Sequence, residues 1–496
     1  MRDVLTRPEP DQHGRDRAAF GTADSDVAAS GELHEFSEQL LGRRSRAIRA
    51  RRVGWSLALT LLVVLGPVVA PRTAQPASRY ALSAAIVDHG TIDVTRYASV
   101  LEIDHAIYEG KWRSDKGPGQ PFAAAPFYAL ARALGAAPLG ADTSLVHDVT
   151  LWLLTITTST IPFALLCMVA YRRAAKRASR GALAATVALL CGSIALPHAV
   201  NLYAHSFSAL FGYLAFVAVA DFFDEPAAAR LSLFARRPML SGLCAGIAVA
   251  TEYHLAIVAI VVGLLIAVRM PRSLVAYAAG AAAPLGALAW YQWRAFGAPW
   301  HTPFAYYAGN LGGTTEGGYS MPTVDGIWAV IAGNRGLVIT GPVVVIGILV
   351  ALMLTVRRTG RSIDAITGSI IVFAYVALVA GWSGTPWLEE PGPRYLIPAI
   401  AFLVTPLAMV WPSIRRWARL AAVWGIAMMF AATMTFILVA TNDTPINAYV
   451  NRVAHQRFLP TVWSLALGTT GLWLYGASCA LALRWLYQSV RVRLNG

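Results

Sequence analysis

The sequence predicts an all-α integral membrane protein with about twelve transmembrane helices. Charged residues make up 14% of its 496 residues and hydrophobic residues 56%, whereas soluble domains carry roughly 25% charged residues. Uncharged apolar runs at residues 56–71, 337–356 and 420–441 approach or reach the length of about 20 residues that a helix needs to cross a bilayer. A membrane β-barrel would instead show alternating segments of about 10 residues.

The predicted spans follow from the apolar runs between clusters of arginine. They are residues 53–71, 146–171, 181–199, 206–222, 239–253, 255–269, 274–294, 336–356, 363–382, 394–411, 418–440 and 462–486. The net charge is +14, but the arginines lie at the ends of apolar runs, which indicates membrane orientation rather than nucleic-acid binding. The positive-inside rule places both termini in the cytoplasm, as in a bacterial-type plasma membrane. The domains expected are a disordered cytoplasmic tail (1–52), a membrane domain (53–486) and a second tail (487–496).

The first extracytoplasmic loop, residues 72–145, is much the longest, and its charged residues include Asp88, Asp93, Glu102, Asp104, Glu109, Asp115 and Lys116. Its segments Ser78–His89 and Ser99–Glu109 have the spacing of amphipathic helices that lie on the membrane surface. The segment Ser114–Gly119 then forms a turn in which small residues and Pro let the backbone approach a ligand. Lys116 in this turn suits a phosphate as a point charge. An ordinary interfacial loop with a snorkelling Lys is the equal alternative.

Several short motifs occur in an order that resembles a known family. They are Arg79-Tyr80-Ala81, Ser114–Gly119, Tyr203-Ala204-His205, Thr251-Glu252-Tyr253, Asn334-Arg335-Gly336-Leu337 and Gly392-Pro393-Arg394-Tyr395-Leu396. From about Gly54 to Leu407 the chain resembles the GT-C fold membrane glycosyltransferases that use polyprenyl-phosphate sugar donors. Within that fold it is most similar to bacterial enzymes like the dolichyl-phosphate-mannose-dependent mannosyltransferases and the aminoarabinose transferase of lipid A.

The resemblance implies that Arg79 and Lys116 hold the phosphate of the lipid carrier. Two cations at the membrane interface can neutralise a phosphate leaving group. The acidic residue that usually precedes the Arg-Tyr-Ala motif is missing, because Pro76-Ala77-Ser78 stands there. A base must then come from elsewhere in the loop, in the order Asp104, Asp93 and Asp88. Each of these is otherwise a solvated surface carboxylate.

Further outer residues have both a functional and a structural interpretation. His205 contacts the carrier phosphate or makes a structural hydrogen bond, and Arg394 binds phosphate or pairs with Glu389 or Glu390. Glu252 and His254 are functional candidates if they lie within the membrane. The aromatic residues that either stack on a sugar or form the interfacial belt are Trp382, Trp387, Tyr306 and Tyr307.

The function expected is inverting transfer of a sugar from a polyprenyl phosphate to a glycan, lipid or protein acceptor on the extracytoplasmic face, with a loop Asp as the base. The partners are that donor, the acceptor and membrane lipids, without nucleic acid. No cofactor and no metal ligands are expected, although a divalent metal is not excluded. A transporter or flippase and a non-catalytic membrane protein of the same fold are the alternatives.

Overall fold

A computed structural model describes residues 45–491 except residues 102, 141–147, 225–235, 309–319, 358–362 and 383–388. The chain divides into two units, Met1–Arg52 with Val492–Gly496, and Val53–Arg491. The described part of the first unit, residues 45–52, is helical. Most of the predicted N-terminal tail, and the predicted aromatic candidate Trp387, lie outside the described residues.

The second unit is built almost entirely from helices. The helices of its N-terminal half are α1 (residues 53–65), α2 (Ala74–His89), α3 (Ala98–Leu101), α4 (Gly119–Ala133), α5 (Val149–Thr155), α6 (Ile161–Arg177), α7 (Ala182–Thr186), α8 (Ala195–His198), α9 (His205–Asp224) and α10 (Arg236–Thr251). Those of its C-terminal half are α11 (Ala256–Arg269), α12 (Leu274–Phe296), α13 (Val324–Ala332), α14 (Leu337–Thr340), α15 (Pro342–Val356), α16 (Ile363–Ala380), α17 (Ile397–Ile400), α18 (Val404–Met434), α19 (Pro445–Ala454) and α20 (Val462–Arg491).

Six helical segments of the described chain are long and apolar enough to cross a membrane, which indicates a multi-pass membrane protein. They are Val149–Arg177, His205–Phe223, Pro271–Phe296, Ile363–Ala380, Arg394–Met434 and Val462–Arg491. A seventh span results if Val324–Thr340 and Pro342–Val356, which are bent by 114° at their junction, count as one. The described part of the chain therefore does not confirm the predicted number of twelve spans.

Two of the predicted spans differ from the structure. The spans predicted at 394–411 and 418–440 belong to one helical run, Arg394–Met434, which continues through Pro412 and the charged Arg415–Arg419 segment. At Pro342, which was not singled out in the sequence, the chain bends sharply. Pro342 there begins α15 directly after Gly341.

The long loop that begins at residue 72 contains one of the two helices predicted for it. Helix α2 covers the predicted Ser78–His89, but its residues Pro76–Ala85 are buried, and it packs against α4 instead of presenting a polar face. The helix predicted over Ser99–Glu109 is wrong. That segment ends α3 and forms strand β1 (Ala106–Tyr108), which pairs antiparallel with β2 (Lys111–Arg113). Glu109 and Gly110 both adopt positive φ, the backbone that a two-residue hairpin turn requires.

Small residues bring α10 close to α12 beneath this loop. A Cβ on Gly280 of α12 would lie 2.9 Å from the backbone N of Leu243, and one on Gly242 of α10 would lie 3.0 Å from that of Ala281. Close backbone approach at small residues is the usual way in which helices associate in membranes. Helix α10 also packs against α9, so the C-terminal end of α10 is fixed beside the start of α9.

Candidate active site

A cavity of about 280 Å³ opens where the long loop that begins at residue 72 meets the ends of α9, α10 and the helical run that starts at Arg394. The sequence interpretation placed a donor site between this loop and the outer ends of the 206–222 and 394–411 spans. The residues that line the cavity come from all of these segments: Gln75, Arg79, Asp115, Lys116, Gly117, His205, Thr251, Glu252, Tyr253, His254, Phe304, Leu378, Arg394 and Tyr395. All four predicted phosphate-binding residues are therefore brought together.

Arg79 is a buried cation that contacts no carboxylate among the described residues. It projects from α2, is 4% exposed, and donates from Nη1 to the backbone O of Gln75 at 3.1 Å and to its Oε1 at 3.3 Å. Its Nε has no hydrogen-bond acceptor within the described chain. Burial lowers the pKa of Arg79, while Glu252 and Asp115 oppose that effect. A guanidinium in this state favours an anionic ligand.

Lys116 is largely buried and bound by two carboxylates, which excludes the snorkelling alternative. Its Nζ donates to Asp104 Oδ1 at 3.0 Å and to Asp115 Oδ2. The second oxygen of Asp115 accepts from Ser78 Oγ at 2.9 Å. Ser78 is the residue that replaces the acidic residue before the Arg-Tyr-Ala motif, so this position still contacts a carboxylate.

The environment shifts the pKa values of these two carboxyl groups in opposite directions. Burial raises the pKa of Asp115 above its usual value, and the nearby Lys116 only partly opposes this. Burial acts in the same sense on Asp104, but there the Lys116 ammonium outweighs it and lowers the pKa of Asp104. Burial disfavours the charged form of Lys116 as well, but Asp104 and Asp115 raise its pKa overall. Lys116 is therefore a cation, and Asp115 is the carboxyl group that gains a proton more readily.

The turn Ser114–Gly119 is pressed against the end of α10. A Cβ on Gly117 would lie 2.5 Å from the carbonyl O of Thr251, and one on Gly119 would lie 2.8 Å from Thr251 Cα. The glycines of this turn thus permit the backbone to approach α10, and Gly117 also lines the cavity. This contact joins the turn that carries Lys116 to the segment that carries Glu252, and both residues line the cavity.

Arg394 is paired as well as exposed to the cavity. Its Nη1 donates to Glu390 Oε1 at 2.8 Å, and His198 Nε2 lies 3.3 Å from Glu390 Oε2. Burial favours the neutral form of Glu390, but His198 and Arg394 outweigh it and lower the pKa of Glu390 to about 2. Arg335, from the Asn-Arg-Gly-Leu motif, donates to the backbone O of Glu390 at 3.0 Å. The two alternatives for Arg394, pairing and phosphate binding, are thus compatible.

Three residues of the cavity wall form a cluster that the sequence predicted only as separate candidates. His205 Nδ1 lies 2.7 Å from Glu252 Oε1, and His254 Nε2 lies 3.8 Å from Glu252 Oε2. Helix α10 ends at Thr251, and the extended backbone of Glu252 leads into the 3-10 turn Tyr253–Leu255. This break lets both Glu252 and His254 line the cavity. In the sequence, this break corresponds to the boundary between the predicted spans 239–253 and 255–269.

None of the three bases predicted from the sequence, Asp104, Asp93 and Asp88, lines the cavity. Asp88 accepts from the Tyr128 hydroxyl and from Arg132 Nε, and Asp93 accepts from Thr95. Asp104 lies behind Lys116, where the Tyr307 hydroxyl also donates to it at 3.3 Å. Asp115, which the sequence interpretation did not select, is the carboxylate of this loop that lines the cavity. Its position next to Lys116 in the Ser114–Gly119 motif was the available signal.

The predicted aromatic residues have mainly structural contacts. Tyr306 stacks on Phe296 with ring centroids 5.4 Å apart, and Trp382 lies 5.9 Å from Tyr395. The rings that line the cavity belong to Tyr253, Phe304 and Tyr395, together with the imidazoles.

No protein-family model matches this chain, and no curated protein matches its sequence. The comparison with solved structures found similar proteins, among them two with TM-scores below 0.5. One is ArnT, an aminoarabinose transferase from Cupriavidus metallidurans, in the apo state: 14% identity, TM-score 0.44, 86% of this chain and 75% of that chain covered. The same protein bound to undecaprenyl phosphate gives 16% identity, TM-score 0.44, and 88% and 77% coverage. The oligosaccharyltransferase of Archaeoglobus fulgidus gives 12% identity, TM-score 0.39, and 88% and 56% coverage.

Proposed function

We propose that this chain is an inverting membrane glycosyltransferase, which moves a sugar from a polyprenyl-phosphate donor to an acceptor hydroxyl on the extracytoplasmic face. The acceptor is a glycan, a lipid or a protein. The protein acts in a bacterial-type plasma membrane with both termini in the cytoplasm, and the surrounding lipids deliver the donor. The observation that carries this proposal is the cavity between the first loop and the membrane helices, which is lined by the buried Arg79 and Asp115 and by the partly buried Lys116 and Arg394.

Three cations of the cavity suit a lipid-linked phosphate. Arg79, Lys116 and Arg394 reach it from three different segments, so a phosphate between them would receive hydrogen bonds from several directions. Arg79 contributes most, since its charge is not matched by a contacting carboxylate among the described residues. Fixed cations of this kind stabilise the negative charge that develops on a departing phosphate. The phosphate would lie at the cavity mouth while the prenyl chain remains beside the apolar helices.

A carboxylate of the first loop supplies the base. It takes the proton of the acceptor hydroxyl while the acceptor oxygen forms a bond to C1 of the sugar, and the bond from C1 to the phosphate oxygen breaks. Polyprenyl phosphate then leaves with both electrons of that bond. Asp115 suits this role best, because it lines the cavity and its raised pKa brings it nearer to neutral pH. Asp104, the first choice from the sequence, becomes the residue that holds Lys116 in place.

A transporter or flippase is the second candidate, and the bend of 114° before Pro342 favours it, because broken helices are common in transporters. The fully buried Arg173 with Asp364 and Asp221 argues against it. Arg173 lies near the end of α6 and Asp364 at the start of α16. These charges therefore lie at span ends and not at midpoints, where transport sites are expected.

Proteoliposomes that contain a labelled polyprenyl-phosphate sugar distinguish the two functions. A transferase given an acceptor produces a labelled acceptor and free polyprenyl phosphate, whereas a flippase redistributes the intact donor between the leaflets. Intact donor that changes leaflet without any sugar transfer would overturn the proposed function.

A further inference from the structure

We propose that His205, Glu252 and His254 bind a divalent transition-metal ion, for which Zn²⁺ is the favoured species, in the wall of this cavity. The three side chains come from the start of α9 and from the break after α10. Each offers one ligand atom, and these atoms all lie within 4.8 Å of one another. Around a tetrahedral ion with bonds of about 2.1 Å, ligand atoms are about 3.4 Å apart, so rotation of the side chains by small amounts is enough to enclose an ion.

The ligand set is specific for one class of metal. Two imidazoles and one carboxylate suit zinc and related first-row ions, whereas Mg²⁺ and Ca²⁺ prefer a shell of oxygen atoms. Three protein ligands also leave a fourth position open, as in zinc sites that bind a water or a substrate. All three ligands line the cavity, so the open position faces the space in which a ligand would lie.

Three ring nitrogens of the two histidines are buried without a hydrogen-bond partner among the described residues. His205 is 2% exposed, yet neither of its ring nitrogens makes a hydrogen bond within the described chain, and the same holds for Nε2 of His254. The contact of 2.7 Å between His205 Nδ1 and Glu252 Oε1 does not have the alignment of a hydrogen bond. Buried polar atoms without partners are costly, and a metal ion would satisfy one ring nitrogen of each histidine.

Neighbouring groups hold the three ligands in position. Ser208 Oγ donates to Glu252 Oε2, which leaves Oε1 for the ion. The ring of Tyr395 packs edge-on against both imidazoles, with centroids 6.0 Å from His205 and 5.2 Å from His254. Such outer contacts are typical of metal sites and fix the direction of the ligands.

The charge of the cavity provides an independent reason, which rests on the proposed function. Among the described residues, the cations that line the cavity are Arg79, Lys116 and Arg394. The carboxylates that line it, or that pair with one of these cations, are Asp104, Asp115, Glu252 and Glu390. Carboxylates thus outnumber cations by one, which is unfavourable for a phosphate. A divalent ion would reverse the sign of this balance and place a positive charge beside Arg79.

Metal binding to the purified full-length chain tests the proposal without any activity assay. The protein is prepared without a polyhistidine tag, stripped with a chelator in detergent and titrated with Zn²⁺, and the retained metal is measured by mass spectrometry. We expect one Zn²⁺ per chain, no retention in the Glu252→Gln/His254→Ala double variant, and a loss of affinity of about tenfold in Ser208→Ala. His455→Ala is the control, because His455 is exposed and lies away from the cavity, and it should bind as the wild type does.

Absence of retained Zn²⁺ in folded wild-type protein, or equal retention in the double variant, would overturn the proposal. If the double variant does not fold, the visible spectrum of wild-type protein loaded with Co²⁺ tests whether the metal site exists. A tetrahedral Co²⁺ spectrum supports the site, and its absence contradicts it. Stoichiometric metal in a chain that transfers no sugar would refute the proposed function alone, whereas sugar transfer by a chain that retains no Zn²⁺ after titration would refute the metal site alone.

Discussion

Asp104 Oδ1 lies 3.0 Å from Lys116 Nζ. Because Asp115 contacts the same ammonium group from the other side, the lysine is held rigidly and its charge is already matched. Lys116, the loop cation predicted to bind a phosphate, is thus part of a cluster of three charged groups with Asp104 and Asp115. In this cluster the two aspartates have different surroundings, and their roles should therefore differ.

Replacement of Asp115 by Asn should lower the transfer rate by about 10²- to 10⁴-fold, the usual contribution of a general base. Asp104→Asn should cause a smaller loss, because it removes only a partner of Lys116. The measurement is the initial rate of acceptor glycosylation for both variants, at equal amounts of folded protein judged by size-exclusion chromatography. Full activity of Asp115→Asn together with an inactive Asp104→Asn would restore Asp104 as the base, as the sequence suggested.

The dependence of the rate on pH should distinguish the same two residues. Burial raises the pKa of Asp115, and the base must be deprotonated, so activity should fall with decreasing pH at a value above the usual Asp pKa of about 3.9. The pKa of Asp104 is lowered by Lys116 despite burial, so a base at that position would remain active below this value. The pH–rate profile at saturating donor is the measurement. A rate that stays constant to below the usual Asp pKa would contradict the role of Asp115.

Removal of the Arg79 charge should weaken donor binding. Hydrogen bonds to charged groups contribute about 1.5–3 kcal/mol, so Arg79→Gln should raise the Kd for a polyprenyl phosphate about tenfold to a hundredfold. Lys116→Ala should weaken binding as well, since it leaves Asp104 and Asp115 unneutralised beside the phosphate. Lys111→Ala is the matched control, because Lys111 is exposed on β2 and does not line the cavity. An unchanged Kd for Arg79→Gln would refute the phosphate site.

The sequence predicted the parts of this site that depend on local composition. The apolar runs predicted a helical membrane protein, and Arg79, Lys116, His205 and Arg394 all line one cavity. The sequence did not predict that the Lys116 charge is matched by Asp104 and Asp115, because pairing depends on tertiary contacts. It also predicted a helix over Ser99–Glu109, where the positive φ of Glu109 produces a hairpin instead.

The sequence pattern also did not predict that one helical run continues through Arg415–Arg419. A basic segment between two apolar runs usually marks a cytoplasmic loop, but charge by itself does not end a helix. The cluster of His205, Glu252 and His254 could not be seen either, since His205 lies 47 residues before Glu252 in the chain. Only the packing of α10 against α9 brings them together.

The glycines of the Ser114–Gly119 turn should be required for activity because they let the turn lie close to α10, and not because they take part in the reaction. An added methyl group in Gly119→Ala would lie 2.8 Å from Thr251 Cα, so the turn must move away from α10 and take Lys116 and Asp115 with it. We expect a lower transfer rate with the protein still folded and inserted. Gly110→Asn in the nearby hairpin is the control, because its positive φ tolerates Asn and a Cβ there meets no atom within 4 Å. Equal rates for Gly119→Ala and the wild type would show that the turn does not position the site.

Consumption of a lipid-linked sugar by the purified protein tests the central claim most directly. Wild-type protein, Asp115→Asn and Arg79→Gln are each incubated with a panel of polyprenyl-phosphate sugars and candidate acceptors, and release of free polyprenyl phosphate is measured. We predict that at least one donor is consumed by the wild type, with sugar appearing on the acceptor in inverted configuration. The two variants should consume it far more slowly. Consumption at the same rate by all three proteins, or of no donor by folded wild-type protein across the panel, would contradict the assignment of this cavity as the site of glycosyl transfer.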